Sequence, residues 1–290
     1  MKIGHPLAEV FGFPPDNFSD MAERYRINRL CPYNNKVPSC TKDKALDPLG
    51  VCSVTTGEDI AITCPIRFRQ DWLVIEDAAK FFFKQGVSWT SLQEIKLKDA
   101  NGISAGNIDF VLAAYDEQDR IIDFGSLEIQ SVYISGNIRM PFHYYMEDRK
   151  NRSNMTWTQT NVRPDYLSSS RKRLVPQMIY KGSILKSWNK KQVVALHKPF
   201  FETIPNLPVV EPEQADIAWM IYELNLDKTL NQYNIEHIQT VYTCFEHALE
   251  KIVTPAPGPI NDFIDTLQKK LDEKLNNQPD APALNDIINC

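Results

Sequence analysis

Residues 107–133 have the sequence NIDFVLAAYDEQDRIIDFGSLEIQSVY, in which two apolar runs flank a short polar segment. Two such runs around a polar turn predict an antiparallel β-hairpin. Successive side chains of a strand point to opposite faces, so Glu128 and Gln130 share one face of the second strand. The pattern by itself leaves two interpretations open, the solvated face of an edge strand and a functional site.

The composition indicates a globular protein of 290 residues with a net charge of −5. No apolar run approaches the ~18 residues that a membrane-spanning helix needs. The first residues also lack the basic start and long apolar stretch of a signal peptide. We therefore expect a soluble, cytoplasmic protein without a membrane partner.

The charges are unevenly distributed along the chain. Residues 149–198 contain twelve Lys or Arg and one acid, whereas residues 202–290 contain fifteen acids and five bases. Phosphate binding depends on the local field, so the basic segment could bind nucleic acid although the whole chain is acidic. A solvated basic helix face explains the same composition.

Four of the six cysteines lie in the first quarter of the chain, and they are Cys31, Cys40, Cys52 and Cys64. In a reducing compartment such a cluster indicates a metal site more than disulfides. Eight, eleven and eleven residues separate them, so the close pairs of ordinary zinc ribbons are missing. Cys244 is expected in the core on the apolar side of a helix, and Cys290 is expected to have no role.

Several other segments have the apolar spacing of strands or helices. Strands are predicted within residues 191–204 and 215–226, and helices within residues 71–86, 171–188, 239–253 and 260–277. The helix within 171–188 should begin or kink near Pro176. Residues 136–170 show no clear period and are expected to leave the core as a long excursion. Together these segments predict an α/β (α+β) fold, with a mixed β-sheet flanked by helices.

The predicted hairpin could bring Asp109 of its first strand beside Glu128 of its second. Two converging carboxylates repel each other unless a cation joins them, and Mg²⁺ prefers such oxygen ligands. An Asp, a Glu and a polar residue two positions after the Glu form the motif of PD-(D/E)xK nucleases. Here Gln130 stands where those nucleases have Lys, and the bare pattern is weakly specific.

The chain resembles the NotI-type restriction endonucleases in several separate motifs. GSLEIQSVYISGN resembles that family's Glu-x-Gln segment, and NIDFVLA resembles the strand that supplies its Asp. CPYNNKVPSC, GVCSV and ITCPIRF resemble its four-cysteine iron site, and LVPQMIYKGSILKSW resembles the helix that follows the active site. The resemblance runs from about Cys31 to Trp188 and fades in the C-terminal third. Pro176 stands where an aromatic residue is expected.

The resemblance implies a type II restriction endonuclease that cuts both strands of a specific, palindromic DNA sequence by Mg²⁺-dependent phosphodiester hydrolysis. It implies a four-cysteine metal-binding subdomain in residues 1–70, a PD-(D/E)xK core in residues 71–255, and a C-terminal helix and tail in residues 256–290. A homodimer would fit a palindromic site. A DNA methyltransferase of the same system is the expected functional partner.

The resemblance also assigns roles to residues of the site. Asp109 and Glu128 would bind Mg²⁺, and Gln130 would orient the attacking water. Glu94 would be a further acidic member, although an ion pair with Lys96 or Lys98 is an ordinary alternative. Iron would be held by the four-cysteine site, with zinc as the alternative. These metal ligands are Cys31, Cys40, Cys52 and Cys64.

The excursion over residues 136–173 combines cations with amide side chains that are suited to reading base edges. The candidate DNA-binding residues are Arg139, Arg149, Arg152, Asn154, Gln159, Asn161, Arg163, Arg171, Arg173 and Gln177. A disordered basic loop is the alternative for this stretch. The alternative for the whole protein is a metal-stabilised, sequence-specific DNA-binding protein without nuclease activity. No P-loop and no cysteine–histidine motif supports another chemistry.

Overall fold

The computed structural model describes residues 5–34, 38–44, 46–57, 59–156 and 162–276. The chain divides into two compact units, Met1–Val253 and Thr254–Cys290. Within the described ranges, no helix is long and apolar enough to cross a membrane.

Three antiparallel strands near the N-terminus form a small sheet in the order β1-β2-β3. They are β1 (Leu7–Val10), β2 (Val51–Thr56) and β3 (Asp59–Ile62), with helix α1 (Asp20–Ile27) between the first two. A 3₁₀-helical segment, Pro65–Trp72, leads from β3 into α2 (Leu73–Phe82). The helix predicted within residues 71–86 is confirmed, and it occupies the central part of that range.

An antiparallel meander follows α2. Its strands are β4 (Trp89–Lys98), β5 (Ser104–Tyr115) and β6 (Ile121–Gln130). The predicted hairpin is therefore confirmed as β5 and β6, in which Phe110 lies opposite Leu127. Asp116 stabilises the turn between them, because its carboxylate accepts hydrogen bonds from the backbone N–H groups of Gln118 and Arg120.

The chain after β6 contains regular structure where the sequence pattern predicted an excursion without a period. Its elements are β7 (Tyr133–Ser135), α3 (Arg139–Glu147) and β8 (Arg163–Asp165), which pairs with β7. A helical run then combines α4 (Tyr166–Ser169), α5 (Val175–Gln177) and α6 (Ser183–Ser187) with two π-helical turns, Ser170–Leu174 and Met178–Gly182. Pro176 lies between these turns. A proline cannot donate to the helical hydrogen-bond ladder, which explains an irregular helix here.

The last part of the first unit completes a mixed six-stranded sheet in the order β11-β10-β9-β6-β5-β4. Its further elements are β9 (Gln192–His197), α7 (Lys198–Phe201), β10 (Ile217–Asp227), β11 (Gln232–Thr243) and α8 (Phe245–Val253). The central strands β6, β9 and β10 are parallel to one another, and the outer pairs are antiparallel. Helix α9 (Ile260–Asn276) belongs to the second unit. The predicted mixed α/β class is confirmed.

Two predictions in this region were too long. The strand predicted within residues 191–204 ends at His197, because α7 begins at Lys198 with Pro199 in its first turn. The helix predicted within residues 239–253 begins only at Phe245, since the preceding residues are the end of β11. The prediction for Cys244 was wrong, because it lies before α8 and is only partly buried. Alternating apolar residues of a strand end were mistaken for a helical stripe.

Both faces of the central sheet are buried, as the continuous apolar sequence of β9 indicates. Val194 and Leu196 pack on one face against residues of the small sheet. Val193 and Ala195 pack on the other face against α2. The central strand β9 is therefore packed between two hydrophobic layers.

A buried ion pair joins the small sheet to the central sheet. Arg67 and Glu9 have fully buried side chains, and Arg67 Nε lies 2.9 Å from Glu9 Oε1. Ser53 Oγ donates a second hydrogen bond to this carboxylate at 2.7 Å. Arg67 also donates to the carbonyl of Tyr233 on β11 at 2.8 Å. One guanidinium thus connects the 3₁₀ segment to both sheets.

Replacing Glu9 with Ala should destabilise the first unit by about 3 kcal/mol, because the buried Arg67 would lose its counterion. Denaturant unfolding measures the change. The control is Arg120→Ala, which removes a solvent-exposed ion pair with Asp116 and should cost under about 1 kcal/mol. Equal stabilities of the two variants would show that the buried pair has no special role.

Candidate active site

Asp109 and Glu128 come together where the ladder between β5 and β6 ends. The last paired residues are Phe110 and Leu127, so Asp109 and Glu128 occupy the next opposed positions. Beyond this point a side chain takes the place of backbone pairing between β5 and β6, because Asp109 Oδ2 accepts a hydrogen bond from the Ile129 N–H at 2.8 Å. On its other side Glu128 remains paired with β9, opposite Val194. The predicted convergence of the two carboxyl groups is confirmed.

The environment of Glu128 disfavours a free carboxylate. Glu128 is 8% exposed. Its burial, and secondly the charge of Asp109, raises the Glu128 pKa to about 8, although Lys181 acts in the opposite direction. Burial also raises the pKa of Asp109. Lys181 Nζ lies 2.6 Å from Glu128 Oε1, but neither oxygen accepts a hydrogen bond of normal geometry from the described residues. The carboxylate can therefore accept a cation.

Gln130 is buried on the same face of β6 as Glu128. Its Nε2 donates to Gln177 Oε1 of α5 at 2.6 Å. Gln177 is a predicted DNA contact, and in the structure its side chain accepts this hydrogen bond from Gln130. A neutral amide held in this way can orient a water molecule, but it cannot act as a base or supply charge.

Glu94 lies on β4 next to the two carboxylates. Its neighbours Gln93 and Ile95 pair with residues on either side of Asp109, and Glu94 itself has φ = +56°. Its charge raises the pKa of both Asp109 and Glu128, so it belongs to the same electrostatic site. A positive φ in a non-glycine residue costs about 1–3 kcal/mol and is frequent at functional sites. Among the described residues, Glu94 forms no ion pair with Lys96 or Lys98.

Two cations of the site were not found from the sequence. Lys181, from the second π-helical turn, contacts Glu128 and donates to the carbonyl of Asn107 at 2.8 Å. Arg69, from the 3₁₀ segment, lies over the ring of Phe110. Burial lowers the Arg69 pKa, while Glu94 and Asp109 raise it. Neither residue stands at a motif spacing from Asp109 or Glu128, so no sequence signal pointed to them.

Among the described residues, no group of three or more His, Cys, Asp or Glu side chains is already arranged around a metal position. Mg²⁺ nevertheless needs only one or two carboxylates, because waters and substrate phosphate complete its coordination. Asp109 and Glu128, whose Oε2 has no hydrogen-bond partner among the described residues, match this requirement in number and chemistry. The donor set therefore fits Mg²⁺.

The four N-terminal cysteines, all among the described residues, form no disulfide, and no three of them are already arranged around a metal position, but their charges affect one another's pKa. Burial raises the pKa of Cys31 to about 12, and the charges of Cys64 and Cys40 add to the effect. Burial also raises the pKa of Cys40 and of Cys52, and the other three thiols contribute at Cys52. Cys40, Cys52 and Cys64 are buried and Cys31 is partly buried, and the raised pKa values of Cys31, Cys40 and Cys52 fit a cation that would neutralise their thiolates. Their sulfur donors suit iron or zinc.

Three of the predicted DNA-binding arginines are engaged within the protein. Arg139 forms ion pairs with Asp43 and Asp47 at 2.6 and 2.9 Å, and Arg149 pairs with Glu23 at 2.6 Å. Arg152 pairs with Glu147 at 2.8 Å and lies over the ring of Tyr144. These contacts fasten α3 and the following turn to the rest of the first unit.

The other predicted DNA contacts differ in position. Asn154, Arg163, Arg171 and Arg173 are exposed. Arg173 lies over the ring of Tyr133, close to the end of β6. Gln159 and Asn161 lie outside the described residues. The exposed arginines of the helical run are therefore better placed for a partner than those of α3.

The matching family model identifies the class of the protein as a restriction endonuclease, for which sequence-specific cleavage of DNA is the implied activity. The model is that of restriction endonuclease NotI, and it matches residues 16–235. The chain therefore belongs to the NotI restriction endonuclease family, which confirms the resemblance inferred from the motifs. The match continues beyond Trp188 into β11, further than the motifs indicated. No curated protein matches the chain.

If the four cysteines bind one metal ion, the purified protein should contain about one iron or zinc per chain. Cys52→Ala should lose the metal and the order of the N-terminal region, as measured by elemental analysis and hydrogen exchange. Cys244→Ala is the matched control, since this thiol lies outside the cluster and should retain both. Metal-free protein with four freely titratable thiols would disprove the site.

Proposed function

We propose that the protein is a type II restriction endonuclease that makes Mg²⁺-dependent double-strand cuts at a specific, palindromic DNA sequence. The observation that carries this proposal is the position of Asp109 opposite the buried carboxylate of Glu128, whose Oε2 has no hydrogen-bond partner among the described residues, in a member of a restriction endonuclease family. The reaction is phosphodiester hydrolysis in a PD-(D/E)xK-type core. Two copies related by a twofold axis would cut both strands of a palindrome. A methyltransferase that protects the host DNA is the expected functional partner.

Asp109 and Glu128 would supply the carboxylate oxygens that hold Mg²⁺. When bound, this ion would polarise the scissile phosphate and activate a water molecule. Gln130 would orient the attacking water with an amide group that Gln177 already holds in place. The hydrogen bond that the Ile129 N–H donates to Asp109 fixes the Asp109 carboxylate relative to β6. Glu94 would contribute to the same acidic site from β4.

The cysteine site is proposed to be structural, with iron as the metal and zinc as the alternative. Four thiolate ligands would leave no open position for a substrate. The 3₁₀ segment begins directly after Cys64 and carries Arg69, which faces Asp109 and Glu94. Ordering the cysteine region would therefore also order one wall of the active site.

The proposed DNA surface is the basic part of the helical run. Arg171, Lys172 and Arg173 are exposed, and the next turns of the same run carry Gln177 and Lys181 into the acidic site. Phosphates bound by these cations would therefore lie near the carboxylates. Asn154 and Arg163 precede this helical run in the sequence. Both are exposed, and they remain candidate contacts to bases or phosphates.

Asp109→Ala and Glu128→Ala should each reduce cleavage of mixed-sequence DNA in Mg²⁺ more than about a hundredfold, while DNA binding persists. Gel analysis of fragments and a mobility-shift assay measure the two effects. The matched control is Asp123→Ala, because Asp123 lies on the same strand as Glu128 and its exposed carboxylate pairs with Lys190 outside the site. Parent protein that shifts DNA without cutting it would support the binding-protein alternative.

Arg171→Ala and Arg173→Ala should weaken binding to all DNA sequences and each reduce the salt slope by about one. Arg139→Ala is the contrasting variant. Since its guanidinium is held by Asp43 and Asp47, it should lower stability with little effect on the slope. The opposite result, a change of slope for Arg139 alone, would move the proposed surface to α3.

A further inference from the structure

Lys181 is a buried cation that the sequence motif does not contain. The residue is 4% exposed. Its ammonium group makes two contacts, an ion pair of 2.6 Å with Glu128 and a hydrogen bond of 2.8 Å to the carbonyl of Asn107. A buried lysine is costly unless it is paired, so its position here needs an explanation.

The fold places Lys181 through close packing on both sides of its turn. A Cβ atom on the following Gly182 would lie 2.5 Å from the ring of Phe245, so this turn sits directly against α8. One turn later, Leu185 is buried with Leu97 and other residues of β4 and β5. The stem of Lys181 passes Gly106, where a Cβ would lie 3.7 Å from its Cδ.

The helical run matches both polar residues of the Glu-x-Gln motif. Glu128 and Gln130 are two apart on a strand and therefore share a face. Gln177 and Lys181 are four apart on the helical run, and they contact Gln130 and Glu128 respectively. The run thus provides a neutral partner for the neutral residue and a cation for the carboxylate.

We infer that Lys181 supplies the active-site cation that Gln130 does not supply, delivered from the helical run instead of from β6. This inference rests on the proposed nuclease function. Lys181 is a positioning residue, because its ammonium holds the Glu128 carboxylate in place and balances its charge. The charge of Arg69 acts on Glu94 and Asp109, whereas the charge of Lys181 acts on Glu128 and Asp109.

The test compares Lys181→Gln with the double variant Lys181→Gln plus Gln130→Lys, which returns a lysine to β6. The single variant should lose about a hundredfold or more in kcat at saturating DNA and Mg²⁺, with DNA affinity changed by less than about threefold. The double variant should recover at least about tenfold of this loss. Lys181→Arg should retain more activity than Lys181→Gln, because it keeps the charge.

The matched control is Lys186→Gln on the same helical run, which removes an ion pair with Asp216 outside the site and should leave kcat unchanged. Rates are expressed per folded molecule, with folding checked by circular dichroism. If Lys181→Gln does not fold, the double variant decides: activity within about a hundredfold of the parent supports the inference, and no activity overturns it.

The inference is overturned if folded Lys181→Gln keeps kcat within about threefold of the parent, or if returning a lysine to β6 restores nothing. Either result would leave Lys181 as a structural counterion. The proposed nuclease function would fail differently, because the parent protein itself would then leave DNA uncut in Mg²⁺.

Discussion

A carboxylate buried inside a sheet must be balanced by a cation, and this constraint on Glu128 organises the centre of the protein. Strand β6 is paired on both sides, with β5 and with β9, so water cannot solvate the Glu128 carboxylate from a sheet edge. The nearby Asp109 increases the electrostatic cost. Lys181 supplies this cation, because the irregular helical run brings it to the face of β6 that carries Glu128 and Gln130. Irregular π-helical turns are frequent where a side chain has to be directed to a functional position.

The 3₁₀ segment after Cys64 connects the cysteine region to this centre by two arginines with different environments. Arg67 is fully buried and binds Glu9 of the small sheet and a carbonyl of β11. Two residues later, Arg69 faces the acidic site. A short stretch of chain therefore connects the cysteine region to Arg69, whose charge acts on Glu94 and Asp109. Under the proposed function, a structural metal would stabilise the active site without taking part in hydrolysis.

The positive charge of residues 149–198 serves more than one purpose. Part of it is neutralised inside the protein, as the ion pairs of Arg149 and Lys186 show. Part lines the acidic site through Lys181, and part is exposed on the helical run at Arg171 and Arg173. A count of charges in the segment therefore overestimates the surface available for phosphate binding. The exposed cations lie on the same helical run as Lys181, so under the proposed function they would bind phosphates near the carboxylates.

The sequence by itself determined the features that depend on local pattern. Strand alternation and the polar turn specified the β5–β6 hairpin, which placed Asp109 opposite Glu128 and put Gln130 on the same face. Motif spacing identified the family and the four cysteines. Tertiary structure alone decided that Lys181 and Gln177 meet Glu128 and Gln130, that Arg139 and Arg149 are bound to acids, and that β11 extends into a predicted helix. These contacts join residues that lie about 50 or more positions apart, and hydrophobic periodicity reports only which face of an element is buried. Packing of the helical run against the sheet sets which long charged side chains meet, so local sequence cannot specify those pairs.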